Sequence, residues 1–155
     1  MRLSKLINKG ASIEQLKSGN GRLYNDATVQ QILSFRSVAD RKNVGVYGVT
    51  AAGKSYFLSA CCNEACRLNY RCRFIDYCEL LNELIALNNK PDLSNYQKRL
   101  KYYARSQLLF IDDFAISATF EEEIKILFHL IKKRGNLGSS SCLAVSVLLM
   151  KMESS

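Results

Sequence analysis

The octet Gly48-Val49-Thr50-Ala51-Ala52-Gly53-Lys54-Ser55 constrains this chain more than any other segment. It has the form G-x-x-x-x-G-K-S, a main-chain loop that closes around a phosphate. Gly48 and Gly53 let the backbone curl around an anion with no Cβ in the way. Lys54 brings a point charge to the β- and γ-phosphates, and the Ser55 hydroxyl is a ligand for Mg2+. Val49, Thr50, Ala51 and Ala52 fill the loop and offer main-chain N–H groups. The flanks agree with the motif. Asn43 to Tyr47 is short and β-rich, and Tyr56 to Leu68 sets Phe57, Ala60, Cys61, Ala65 and Leu68 near helical spacing. The octet is therefore expected at a strand-to-helix turn, where N–H groups and the helix N-terminus face a bound anion.

A second motif has the chemistry to match. Leu108-Leu109-Phe110-Ile111 is a continuous apolar run that ends in Asp112-Asp113. Such a run reads as a strand covered on both faces, and ligands of parallel sheets bind beyond the carboxyl ends of strands. Asp112 is expected to hold Mg2+, directly or through water, and Asp113 to orient and deprotonate an attacking water. The elements between the motifs alternate. Helices are expected over Thr28 to Val38, Glu79 to Leu87 and Tyr96 to Arg105, with a strand over Arg71 to Ile75. Thr119-Phe120-Glu121-Glu122 is a capping box. The helix it opens carries Ile124, Leu127, Phe128 and Ile131 on one face and closes at Lys132-Lys133-Arg134-Gly135. Strands alternating with helices imply an α/β fold with a parallel sheet.

Composition narrows the setting. The chain's 155 residues suit one domain with a real core, and 48% hydrophobic content argues against disorder. No run reaches the roughly 18 apolar residues of a membrane helix, and no apolar secretory segment opens the chain. Cys61, Cys62, Cys66, Cys72, Cys78 and Cys142 form no C-x-x-C pair, and His129 is the only histidine. Free, mostly buried thiols in a reducing cytoplasm fit this pattern better than zinc. A net charge of +8 favours a polyanionic partner, nucleic acid above all. Basic residues gather at Arg2, Lys5, Lys9, Lys17 and Arg22, and again at Lys98, Arg99, Lys101 and Arg105. The second group is interleaved with Tyr96, Tyr102 and Tyr103, whose rings are expected to pack inward in preference to stacking on bases.

The octet, the stretch Glu64 to Phe74, the stretch Glu79 to Leu84 and the segment Leu108 to Phe114 together resemble the IstB group of AAA+ ATPases over residues 25–134. These are transposition helpers similar to DnaC-type helicase loaders. The resemblance implies a P-loop NTPase core of three layers, ATP with Mg2+, assembly into homo-oligomers on DNA through the backbone, and stimulation of a transposase. It makes Lys54 a phosphate contact, Ser55 and Asp112 the Mg2+ residues, and Asp113 the water-polarising acid, one methylene shorter than the glutamate common at that place. A helicase loader acting with a replication protein is the near alternative. A truncated remnant that binds nucleotide without hydrolysis is a further one, and a small-molecule P-loop kinase a more distant one.

Two departures accompany the resemblance. Family members carry a helical domain before the core, whereas here only residues 1–24, a basic segment, precede a core expected over 25–155. Beyond Arg134 the family continues into a sensor strand, further helices and an arginine finger. Cys142 to Met150 is then either that strand, with Ser146 as its sensor, or a segment in a shifted reading frame, and Arg134 itself is a candidate to reach a neighbouring subunit's ATP. The core is expected to be incomplete after about residue 134, with ATP hydrolysis weak or absent. In sheets of this family the strand after the Arg134 helix lies between the phosphate-loop strand and the Asp112 strand, which would leave the Val44 strand at the edge.

Overall fold

The apolar run of residues 108–111 shows how the chain is layered. In the computed structural model, which describes residues 10–14, 26–40, 44–48, 51–115, 121–137 and 142–148, its alternate side chains enter two separate cores. Leu108 and Phe110 join Phe57, Leu58 and Cys61, while Leu109 and Ile111 join Leu80, Leu84 and Leu130. A strand apolar on both faces needs a helical layer on each, and that requirement produces three layers.

The elements run α1 (Asp26–Leu33), α2 (Arg36–Ala39), β1 (Val44–Gly48), α3 (Ala51–Arg67), β2 (Cys72–Asp76), α4 (Tyr77–Asn88), α5 (Ser94–Ala104), β3 (Leu108–Ala115), α6 (Glu121–Asn136) and β4 (Cys142–Leu148). The sheet has 4 strands in the order β1-β4-β3-β2, and every pairing is parallel. Segment 142–148 therefore occupies the slot between the phosphate-loop strand and the Asp112 strand, and β1 stands at one edge among the described residues. Ser146 lies opposite Val46 of β1. α3 covers one face of the sheet, with α1 and α2 beyond it; α4, α5 and α6 cover the other.

Local chemistry sets the joints. α3 ends in a Schellman motif: Tyr70 N–H donates to the Ala65 carbonyl (3.0 Å), Asn69 N–H donates to Cys66 (3.0 Å), and Asn69 takes a left-handed φ of 67°. The reversal feeds the chain directly into β2. The helix expected over 28–38 is broken instead at Phe35, whose φ of 50° is left-handed. Its buried ring packs on Tyr70 with centroids 5.3 Å apart. Residues 10–14 lie against α3: Ala11 is buried, and Asn63 Nδ2 donates to its carbonyl at 2.8 Å. Arg2, Lys5, Lys9, Lys17 and Arg22 lie outside the described residues, as does the first half of the capping box, Thr119-Phe120.

The inward face of α6 differs from the apolar stripe legible in the sequence. Ile126, Leu130 and Arg134 are its buried residues, whereas Ile124 and Phe128 are 52% and 64% exposed and Ile131 is exposed as well. The buried set follows i, i+4, i+8 spacing and includes a charged residue, which fixes which of two neighbouring stripes turns inward.

Candidate functional site

Period-two alternation along β3 places Asp112 on the same side as Leu108 and Phe110, the side covered by α3. Asp112 is 0% exposed and Ser55, in the opening turns of α3, is half-buried beside it. Burial raises the Asp112 carboxyl above its usual range, and the nearby charges of Asp113 and Asp76 add to the rise. The Ser55 hydroxyl and the Asp113 N–H act the other way by hydrogen bonding to the ionised form. Oδ1 accepts from that N–H at 3.0 Å, whereas Oδ2 has no hydrogen-bond partner among the described residues. A buried carboxylate oxygen without a donor is costly. With a hydroxyl beside it, it is also the hard oxygen set that suits Mg2+, which makes Ser55 and Asp112 a fit for the ion.

A bulge creates the second carboxylate's position. Ile111 pairs with Val145 and Phe114 with Val147, so β3 carries one residue more than β4 between these points. Asp113 takes up the difference with a left-handed φ of 53°, a conformation that Asp tolerates better than most residues. Adjacent aspartates are thereby treated differently: Asp112 is buried and Asp113 is exposed.

The octet meets this pair from the neighbouring strand and helix. Gly48 ends β1 opposite Leu148 of β4. Val49 and Thr50 lie outside the described residues, and α3 begins at Ala51. The helix thus starts before Tyr56, the residue at which the sequence places its onset, and takes in Ala51, Ala52, Gly53, Lys54 and Ser55. The first-turn N–H groups have no acceptor within the helix and remain available to an anion.

Asp76 is a residue that sequence reasoning missed. It lies opposite Asp112 in the β2–β3 register and caps α4, accepting from Cys78 N–H (2.9 Å) and Glu79 N–H (3.2 Å). The signal was present as Asp76-x-x-Glu79, a helix-start pattern. Arg134 corrects another expectation. It is 1% exposed, and its Nη1 donates to the Tyr103 carbonyl and to both oxygens of Ser106 while Nη2 donates to the Gln107 carbonyl. This guanidinium holds α5 against the start of β3 and does not reach toward a neighbouring subunit. The tyrosines pack as expected: Tyr96 and Tyr103 are buried, and the half-buried Tyr102 ring carries Arg73 at 3.3 Å and Arg99 at 4.4 Å from its centroid.

A parallel sheet between helical layers, with a glycine-rich loop at one strand end and a carboxylate pair at another, is the P-loop AAA+ ATPase fold. Solved structures agree. Replication initiator DnaA bound to AMPPCP and single-stranded DNA superposes with a TM-score of 0.69 at 18% identity, over 92% of this chain and 43% of that one. DnaI superposes with a TM-score of 0.60 at 20% identity, over 88% of this chain and 72% of that one. The chain belongs to the family described as IstB-like ATP binding protein, which it matches over residues 1–150. The match extends past residues 25–134 at both ends and includes β4. A Pseudomonas fluorescens protein assigned as an ATP-binding protein of insertion sequence IS1162 is 26% identical over 145 residues. The alignment covers 94% of this chain and 61% of that protein, so this chain spans about three fifths of its relative's length.

Proposed function

We propose that the chain is the ATP-binding core of a helper ATPase of a transposable element, working on DNA with a transposase. The observation that carries this reading is Asp112: buried, with an oxygen left over, and beside Ser55 at the end of the strand next to β4. Family membership and the insertion-sequence relative support ATP and the mobile-element setting. The net charge of +8 supports DNA as the polyanion. Homo-oligomers on DNA and a cytoplasmic location belong to the same proposal. Among the described residues no helix is long and apolar enough to cross a membrane.

In this reading the N–H groups of the octet and Lys54 hold the phosphates. Ser55 and Asp112 hold Mg2+, which when bound neutralises phosphate charge. Asp113, exposed on its bulge, orients a water and takes its proton. Residues 1–24 form a basic segment ahead of the core. A replication protein in place of a transposase is the alternative partner, and adjacency to a transposase gene separates the two.

Calorimetry and turnover test the proposal together. Lys54→Ala should abolish ATP binding, while Asp113→Asn should bind ATP and lose hydrolysis. Equal ATP affinity in the wild type and Lys54→Ala would remove the phosphate-loop reading. For DNA, log affinity should fall linearly with log salt. Charge reversal at the exposed Lys98 and Lys101 should flatten that slope if α5 touches phosphates; an unchanged slope would place the contact elsewhere.

A further inference from the structure

On the sheet face opposite α3, a groove of about 530 Å³ opens between the end of α4, α5 and α6. Two large apolar side chains stand open in it: Leu93 is 44% exposed and Leu137 is 43% exposed. Tyr96 and His129 span its base, with the tyrosine hydroxyl 3.4 Å from His129 Nδ1. Lys132 and Lys133 line it as well, and the Lys133 ammonium is held 3.5 Å from Gln97 Oε1. No carboxylate lines the groove, and neither lysine is in an ion pair among the described residues. Asp92, adjacent to Leu93 in the chain, has its carboxylate engaged by Ser94 N–H (2.9 Å) and Ser94 Oγ (3.0 Å).

Apolar side chains beside unpaired cations define complementary chemistry. An occupant needs apolar side chains to cover Leu93 and Leu137, and carboxylates to meet Lys132 and Lys133. We propose that this groove docks a short acidic segment with apolar side chains from a partner protein. Single-stranded nucleic acid suits the groove less well. Its Tyr96 ring is buried, which leaves the His129 imidazole as the single exposed ring for a base, whereas Leu93 and Leu137 call for apolar side chains. The volume admits a few side chains, so the expected contact is a linear segment and not a domain face.

Fluorescence anisotropy of a labelled peptide alternating glutamate with leucine tests this on the full chain. The wild type should bind it, and replacing the peptide's glutamates by lysines should abolish binding. Lys132→Glu with Lys133→Glu should weaken binding about tenfold or more, and Leu137→Asp should do the same. These positions are on the surface, and matching thermal melts of the variants would establish that they fold. Amide shifts at Leu93, Gln97 and Asn136 on adding the peptide to the wild type give a readout that needs no variant. The proposal fails if the wild type does not bind the acidic peptide, if the variants bind it equally, or if the shifts fall outside the groove. It also fails if a labelled single-stranded oligonucleotide binds instead and is lost in the double charge reversal.

Discussion

Strand β3 runs between two buried charges. Before its first residue, the Arg134 guanidinium is ringed by the carbonyls of Tyr103, Ser106 and Gln107 and by the Ser106 hydroxyl. Near its other end Asp112 is buried as deeply, yet one carboxylate oxygen has no donor among the described residues. The arginine's terminal nitrogens are directed at structure. The aspartate's second oxygen has no donor among the described residues, and the proposed function gives it to Mg2+. Burial of a charge therefore does not by itself mark a site; Asp112 is set apart by its place beside Ser55 at the carboxyl end of β3, with an oxygen that lacks a donor among the described residues.

The comparison breaks first at Arg134. Replacing it by Met should destabilise the fold by about 3 kcal/mol or more in urea unfolding, because several buried carbonyls lose their donor at once. A loss under about 1 kcal/mol would mean that water replaces the guanidinium and that the clamp is incidental. Asp112→Asn should behave in the opposite way, leaving the nucleotide-free protein as stable as the wild type or about 1 kcal/mol more stable. It removes a buried ionised group whose burial already opposes its charge.

The bulge sharpens the contrast further. Asp113→Gly should stabilise the fold by about 1 kcal/mol, since the left-handed conformation strains any residue with a Cβ, while ending ATP turnover. Stabilisation with full turnover would show that the carboxylate is not used. The smallest effect belongs to Arg73, which stacks on Tyr102 and donates from Nε to its carbonyl at 3.2 Å. Arg73→Gln should cost roughly 0.5–1 kcal/mol and leave ATP affinity unchanged.

The parts of this molecule legible in the sequence are those where local chemistry allows one answer. Gly48 to Ser55 marks the turn from β1 to α3, and the Leu108 to Asp113 run defines a strand and its two covering layers, through motif and period alone. α6 was harder because two apolar stripes are available. Ile124, Phe128 and Ile131 follow helical spacing as well as Ile126 and Leu130 do, and the choice turns on Arg134, whose charge marks it as a surface residue until its carbonyl partners are known. The break at Phe35 was invisible for a similar reason, since its left-handed backbone goes with a ring packed on Tyr70, distant in sequence. The bulge at Asp113 is a property of the pairing with β4, and no single strand reveals it.

The central claim is that Asp112 is left unsatisfied for the sake of a nucleotide-bound cation. Titration calorimetry of ATP with and without Mg2+, on the wild type and on Asp112→Asn, tests it most directly. The account predicts that Mg2+ tightens ATP binding to the wild type by about tenfold or more and leaves Asp112→Asn nearly unchanged. An equal gain from Mg2+ in both proteins would contradict it.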